Sequence, residues 1–529
     1  MAQSPGSGAR ETAPDGGVSS QASATDATVT AGRGVIFIAI AKFYFMVSGY
    51  VIQFALWPLL GEKLYGDYGV VKNLASWFNN VVVIGTIQST SKFTAERPEQ
   101  AEAVKHAALR MQVFFGLLLG GVLFFAAPWL AGLLHDPRLA PYIRIAAGIV
   151  VCYSFYAVFV GSANGQSQFK KQAGLDMTYS TVRPTLIILG AGVGLGLAGA
   201  LSGFLGAAAI ILVVSVFVVG LRRSSGSFSA LTVAKYMAPL LLYMLFLNLL
   251  LVVDQFLLKR LFTEAARAAG IVGAAEAASR ATGFYEATQT LARIPYQAIL
   301  AVAFVIFPLV SRSTFAADHA TTRGYIRQTM RYSLIFSVAL AVTLSSTAHA
   351  VMQVPFGLKA ADTGAAALTV LALGQIFFSL FSIGGTILNG AGRTLAATVL
   401  CGVTLALAGV LDYLAIPRAG LDTGRALLWV ASSQSLALVV GFVLCAVTLR
   451  RIFGAFLPVS TALRVSVAAA AAWGAGRFLP DPRGGKLVVT AVAGAECLVV
   501  LVVFFAALVV LKEFTAEDRA KARKVLRRR

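Results

Sequence analysis

The stretch GFYEATQTLARIPYQAILAVAFVIFPLVSR, Gly283–Arg312, decides how the chain is read. It is too long and too apolar for a strand. Glu286, Gln289, Arg293 and Gln297 fall in its first half, while Ala298 to Val310 is almost purely apolar. This pattern predicts a membrane-crossing helix with one face on lipid and the other on water or a substrate cavity. An echo lies at Gly66–Lys92, GDYGVVKNLASWFNNVVVIGTIQSTSK. Gly66 and Tyr68 match Gly283 and Tyr285, Leu74-Ala75 match Leu291-Ala292, and Ser91-Lys92 match Ser311-Arg312. The chain reads as two copies of one unit, each with a polar-faced helix early in it.

Composition agrees. Of 529 residues, 58% are hydrophobic and only 13% charged, against about 25% charged in soluble globular chains. The chain is therefore read as an all-α, multi-pass membrane protein. Its net charge of +21 does not point to nucleic acid, because the basic residues sit in short connections between apolar stretches. Cys152, Cys401, Cys445 and Cys497 are scattered through apolar stretches and read as small buried hydrophobes. His106, His135, His319 and His349 form no metal pattern, and no cofactor is expected. No GxxxxGK[ST] phosphate loop occurs, and the longest connection, about 259–282, is too short for a donor-binding domain. These features speak against an enzyme.

Residues 1–33, rich in Ser, Gly, Ala and Thr, are expected to be a disordered tail with no cleaved signal segment. Fourteen spans of about 20–27 residues follow, as a ~30 Å hydrocarbon core requires. They fall near 34–58, 67–91, 104–127, 140–163, 171–194, 197–220, 236–258, 283–309, 326–347, 364–388, 395–416, 425–449, 461–479 and 487–511. With the N-terminus inside, Lys92, Arg97, Lys105, Arg222, Arg223, Arg450, Arg451 and the basic tail 512–529 all fall on the inner side. Both termini are thus expected in the cytoplasm. Asn164-Gly165 closes the fourth span as Asn389-Gly390 closes the tenth. Two six-helix lobes are expected, 34–221 and 236–450, joined by a linker at 222–235 and followed by two further helices within 451–511. Because six is even, the lobes should be related by an axis along the membrane normal, with a central cavity between them.

A charge at a span centre costs about 2.5–3.5 kcal/mol on insertion scales, so it normally faces a cavity or a partner. Arg183 and Arg293 lie deep in their spans, each close to a proline, Pro184 and Pro295. Lys42 lies shallower, and Lys72, near the outer end of the second span, is expected to reach for the membrane surface. Asn73 and Asn80 share one face of the second span, as Gln289 and Arg293 do on the eighth. Two readings stand. In one, the arginines are buried ion pairs with Asp176, Asp254 or Glu286. In the other, Arg183, Arg293 and Lys42 form a cationic surface for an anionic substrate, since a guanidinium fork suits phosphate oxygens. Asn73, Asn80 and Gln289 would then contact hydroxyls.

LARIPYQAILAVAFVIFPLVSR, the VVDQFLLKR run ending at Arg260, TILNGAGR (Thr386 to Arg393) and the opening GVIFIAIAKFYFMVSGYVIQF resemble a known group. They are similar to the polysaccharide-transporter, or Wzx-like oligosaccharide flippase, branch of the multidrug/oligosaccharidyl-lipid/polysaccharide exporter superfamily. The resemblance covers about 34–450. It implies two lobes that open alternately to each side, and a substrate glycan on a polyprenyl diphosphate in a bacterial cytoplasmic membrane. It implies basic cavity residues, carried over to Lys42, Arg183 and Arg293. Expected partners are that lipid-linked oligosaccharide, membrane lipids and a polysaccharide polymerase or ligase complex. The Ala-rich segment near 264–282 departs from the pattern at the outer gate. The alternatives are a lipid II flippase, a cation-coupled multidrug antiporter and a non-transporting scaffold for glycan assembly. An antiporter would be expected to place an acid in the first span, where this chain has Lys42.

Overall fold

The computed structural model describes residues 17–514 apart from 225, 300–305, 307–309, 311–312, 315–317 and 480–483, with side chains from Ile40 onward except at 235–236 and 238–240. Most of the apolar half of the Gly283–Arg312 stretch, residues 1–16 of the expected tail and residues 515–529 lie outside these. Every regular element among the described residues is helical. Nine helical stretches are long and apolar enough to cross a membrane, or ten with one bent pair. Two of the nine are 57 and 51 residues long, so each holds more than one crossing.

Helix α1 (Gly17–Glu96) carries the first two expected spans and breaks at Gly61, whose φ of 66° is open to glycine. Its backbone is helical from Gly17, inside the stretch expected to be a disordered tail. Helices α2 (Ala101–Phe125), α3 (Ala127–Leu133), α4 (Ala140–Gly165), α5 (Phe169–Gly190) and α6 (Gly196–Val219) complete the first half. α1 packs on α4 and α5, α4 on α2 and α6, and α5 on α6. The second half holds α7 (Ala230–Leu250), α8 (Val253–Ala268), α9 (Ala274–Ala292), α10 (His319–Ser346), α11 (Ala348–Phe356), α12 (Leu358–Gly390), α13 (Thr394–Ala415) and α14 (Thr423–Phe453). There α12 packs on α10 and α14, and α13 on α14 and α7. Helices α15 (Val459–Arg477) and α16 (Lys486–Val510) pair with each other against α10. The halves meet chiefly through α1, against α9 and α7.

A further expectation needs correction. The seventh span is not one continuous helix over 236–258: α7 and α8 meet at a 50° bend. The break frees backbone carbonyls that lipid cannot satisfy, and side chains satisfy them. Arg293 Nη2 donates to the Leu251 carbonyl at 2.5 Å and Gln434 Nε2 to the Leu250 carbonyl at 2.7 Å. The Ala-rich connection at 259–282 is mostly helix: α8 runs on to Ala268 and α9 begins at Ala274.

The echo between the halves is a contact. A Cβ on Gly66 would stand 1.9 Å from the Ser279 carbonyl oxygen, and one on Gly283 would stand 1.9 Å from that of Glu62. Glycine is the residue that lets the two backbones cross this closely. Tyr68 and Tyr285, the matching aromatics, are both buried beside the crossing.

Candidate functional site: a cationic seam between the halves

From this crossing the seam extends in two directions, and the charges behave differently in each. Toward one end of the bundle lies a dense ionic cluster, the latch. Lys259 on α8 is fully buried. Its ammonium donates to Asp136 at 2.8 Å, to Asp67 at 3.4 Å, to Ser279 Oγ at 2.5 Å and to the Ala275 carbonyl at 2.9 Å. Ser279 Oγ in turn donates to Asp67 at 2.6 Å. Arg138 donates from Nε and Nη2 to the two Asp136 oxygens and from Nη1 to Glu276, each at 2.8 Å. Lys63–Glu276 at 2.7 Å and Lys359–Glu62 at 2.8 Å lie at the same end. Asp67, Asp136, Arg138 and Lys63 come from the first half, Lys259, Glu276 and Ser279 from the second. The latch therefore ties the halves together with ion pairs that are also hydrogen-bonded, the condition under which buried charge is tolerated. Asp136 sits in the α3–α4 connection. Burial pushes its carboxyl up, but the Arg138 guanidinium and the Lys259 ammonium outweigh that and hold it below the ordinary carboxylate value.

In the other direction, deeper along the seam, Glu286 on α9 is buried and receives three side chains from α1. Gln53 Nε2 donates to it at 2.9 Å, Asn73 Nδ2 at 3.0 Å, and the Lys72 ammonium forms a short ion pair with it. Asn73 also bonds Gln255 on α8. A Cβ on Gly69 would lie 2.9 Å from Glu286 Cγ, so the small residue leaves the room Glu286 occupies. Next to it, Asp254 accepts from Tyr285 Oη at 2.6 Å and from Gln289 Nε2 at 2.7 Å. About two turns deeper, Asn80 donates to Asn248 across the seam at 2.9 Å.

The two arginines are placed otherwise. Arg293 is half-buried; it meets the Leu251 carbonyl and Gln289 Oε1, the latter at 2.8 Å. It faces a cavity of about 10 Å³ inside the second half, with Asp254, Gln375 and Gln434 in its wall, which is room for roughly one water. Arg183 lies over the Phe45 ring at 4.7 Å and the Tyr179 ring at 5.3 Å, and its buried Nε has no acceptor. Neither forms an ion pair with a described residue. Both lie near enough to the Lys72 ammonium to act on it electrostatically. Lys72, Arg183 and Arg293 face two buried carboxylates in this part of the seam, Glu286 and Asp254, and only Lys72 is ion-paired with one of them among the described residues.

Of the partners expected for the arginines, Asp176 takes Lys42 at 2.8 Å, Glu286 takes Lys72, and Asp254 takes Tyr285 and Gln289. Lys42 is about half exposed and already paired. Asn73, Asn80 and Gln289 are engaged in the seam in this conformation. The sequence reading missed Lys72, which it placed among residues reaching for the membrane surface, and Lys259, Asp67 and Asp136. It also missed Asp412, fully buried on α13 and bonded only by Ser433 on one oxygen. The available signal was a charged residue inside an apolar helix, VVDQFLLKR for Lys259 and GVLDYLA for Asp412.

Comparison with known proteins places this architecture. Residues 31–314, more than half of the chain, match the family model described as polysaccharide biosynthesis protein. An uncharacterized membrane protein, YabM of Bacillus subtilis (strain 168), is 23% identical over 422 residues, covering 75% of this chain and 77% of that one. The lipid II flippase MurJ in an inward closed conformation superposes with a TM-score of 0.69 at 14% identity, over 90% of this chain and all of that one. The eukaryotic MATE transporter AtDTX14 superposes with a TM-score of 0.58 at 15% identity, over 80% of this chain and 96% of that one. These likenesses establish the fold, two packed helical halves around a seam. The chain belongs to the polysaccharide biosynthesis protein family, and its long apolar helices make it a multi-pass membrane protein.

Proposed function

We propose that the chain is a flippase that carries polyprenyl-diphosphate-linked oligosaccharide across the bacterial cytoplasmic membrane for polysaccharide assembly. The observation that carries this reading is the pair Arg183 and Arg293. At membrane depth a guanidinium without a carboxylate is costly, and an anionic substrate supplies what is missing. The two arginines come from different halves, so one diphosphate bound between them would be held by both. The lysine and arginine bias of the connections supports an extracytoplasmic latch and cytoplasmic termini. The latched conformation is then the one closed to the outside. Rocking of lobe 34–221 against lobe 236–450 would open the latch and, with it, the Glu286, Asn73 and Asn80 clasp. Asn73, Asn80 and Gln289 then become free for sugar hydroxyls. A polymerase or ligase complex would take up the flipped unit.

The test is mass spectrometry of polyprenyl-linked lipids from cells with and without the chain. Build-up of one diphosphate-linked repeat unit on its loss is the expected result. The MurJ likeness favours one alternative, a lipid II flippase, which would show as build-up of the peptidoglycan precursor. An unchanged lipid profile in glycan-producing cells would defeat both.

A further inference from the structure

At the end of the bundle opposite the latch, each half ends its sixth helix at a glycine. α6 stops at Gly220 and α14 at Gly454, both with positive φ, 81° and 64°. In the first half this junction is closed by the chain's own charges. Lys105, near the start of α2, donates to the Gly220 carbonyl at 3.0 Å and to Glu102 at 2.8 Å. Glu102 then accepts the Arg222 backbone N–H at 3.2 Å. In the second half the corresponding junction lies between the start of α10 and the end of α14, and no carboxylate of the described residues lines it. Arg327, Arg450 and the Gly454–Pro458 loop line a cavity of about 380 Å³. The backbone N–H groups of Ala455, Phe456 and Leu457 enter no hydrogen bond with another described residue, nor do the Arg327 and Arg450 side chains. The nearby acid, Glu513, is taken by Arg331 at 2.7 Å, Arg464 at 3.3 Å and Thr461 at 2.8 Å.

We infer that this cavity holds the phosphate of an anionic membrane lipid. Two unpaired guanidiniums and a run of free N–H groups are the donor set a phosphodiester recognises. The site lies at the end of the spans, where headgroups sit, and basic pockets between helices at this depth suit them. The lipid source is favoured by the surface beside it. Val459, Leu463 and Val467, four residues apart on α15 and starting directly after Pro458, are 62%, 64% and 58% exposed. They form one apolar stripe along which acyl chains can lie. The pocket is separate from Arg183 and Arg293, so it stands or falls apart from the proposed substrate.

Native mass spectrometry of the full chain in detergent, titrated with phosphatidylglycerol or phosphatidylcholine, tests this. Phosphatidylglycerol should be retained about tenfold more tightly than phosphatidylcholine, and R327Q/R450Q should abolish that preference. R222Q/R223Q, which removes the same charge from the same end, should preserve it, as should R327K/R450K in large part. Thermal unfolding without added lipid verifies that the variants are folded. Equal retention by wild type and R327Q/R450Q, or equal loss in R222Q/R223Q, would overturn the site. Displacement of phosphatidylglycerol by millimolar inorganic phosphate would overturn the lipid source.

Discussion

The latch and the deeper part of the seam differ in one respect that separates structure from function. In the latch the buried cation is oversupplied with acceptors: Lys259 has two carboxylates, a hydroxyl and a carbonyl. Nothing is left over for a ligand. Deeper in, three cations stand among two buried carboxylates, Glu286 and Asp254, and the two guanidiniums rest on rings, a carbonyl and an amide. Both regions join the same two halves, and one chain folds both. What differs is charge stoichiometry. A saturated cluster holds a conformation, whereas an unsaturated one awaits a partner.

If that contrast is right, the arginines and the latch lysine should fail in different ways. Arg183→Gln and Arg293→Gln should each lower transport about 10- to 100-fold, the range for losing a charge-assisted bond of about 1.5–3 kcal/mol. The amount of folded protein in the membrane should stay unchanged. Flux of the accumulated lipid-linked unit into reconstituted vesicles, normalised to folded protein, measures this. Lys259→Met should instead destabilise the latched state by about 3–5 kcal/mol, because Asp67 and Asp136 would be left buried without their cation. Crosslinking between cysteines placed at Lys63 and Glu276 should fall in the K259M background; undiminished crosslinking would mean that the latch charges do not hold the halves together.

The glycine crossing sharpens the comparison by perturbing shape without charge. Gly283→Ala places a methyl 1.9 Å from the Glu62 carbonyl oxygen, a backbone atom that can move only with its helix. The expected cost is about 1–3 kcal/mol, read as a lower unfolding temperature together with increased labelling of a cysteine at position 67. The smallest effect is in pH. The Asp136 carboxyl is held below its ordinary value, so its contribution is complete at neutral pH and is lost only as pH falls through its folded value, below about 4. Stability should be flat from pH 7 to 5 on its account and fall below 4, and Asp136→Asn should remove that fall.

Much of this molecule was legible before any coordinates. Apolar length gave the helices, and the Gly66-x-Tyr68 echo of Gly283-x-Tyr285 reads as an internal repeat; that the two glycines are where the halves cross is seen only in the structure. Arg183 and Arg293 stood out because charge at span centre is rare enough to be informative. The partners did not stand out. Which carboxylate takes which cation depends on rotation about each helix axis and on the bend between α7 and α8, neither of which single-sequence spacing encodes. Lys72 was misplaced for this reason: a lysine near a span end reads as one reaching for headgroups, whereas the tertiary structure turns it inward onto Glu286, more than two hundred residues away. The latch was illegible too, since Asp67, Asp136 and Lys259 lie on three separate segments and each alone looks like an ordinary flanking charge.

The most direct test of the account is the affinity of the purified full chain for a polyprenyl diphosphate carrying its glycan, compared between wild type and R183Q/R293Q. The account predicts at least a tenfold loss in the double variant, with binding of the matching polyprenyl alcohol, which lacks the diphosphate, weak in both. Equal affinity of the two proteins for the diphosphate would contradict it and return Arg183 and Arg293 to a structural role.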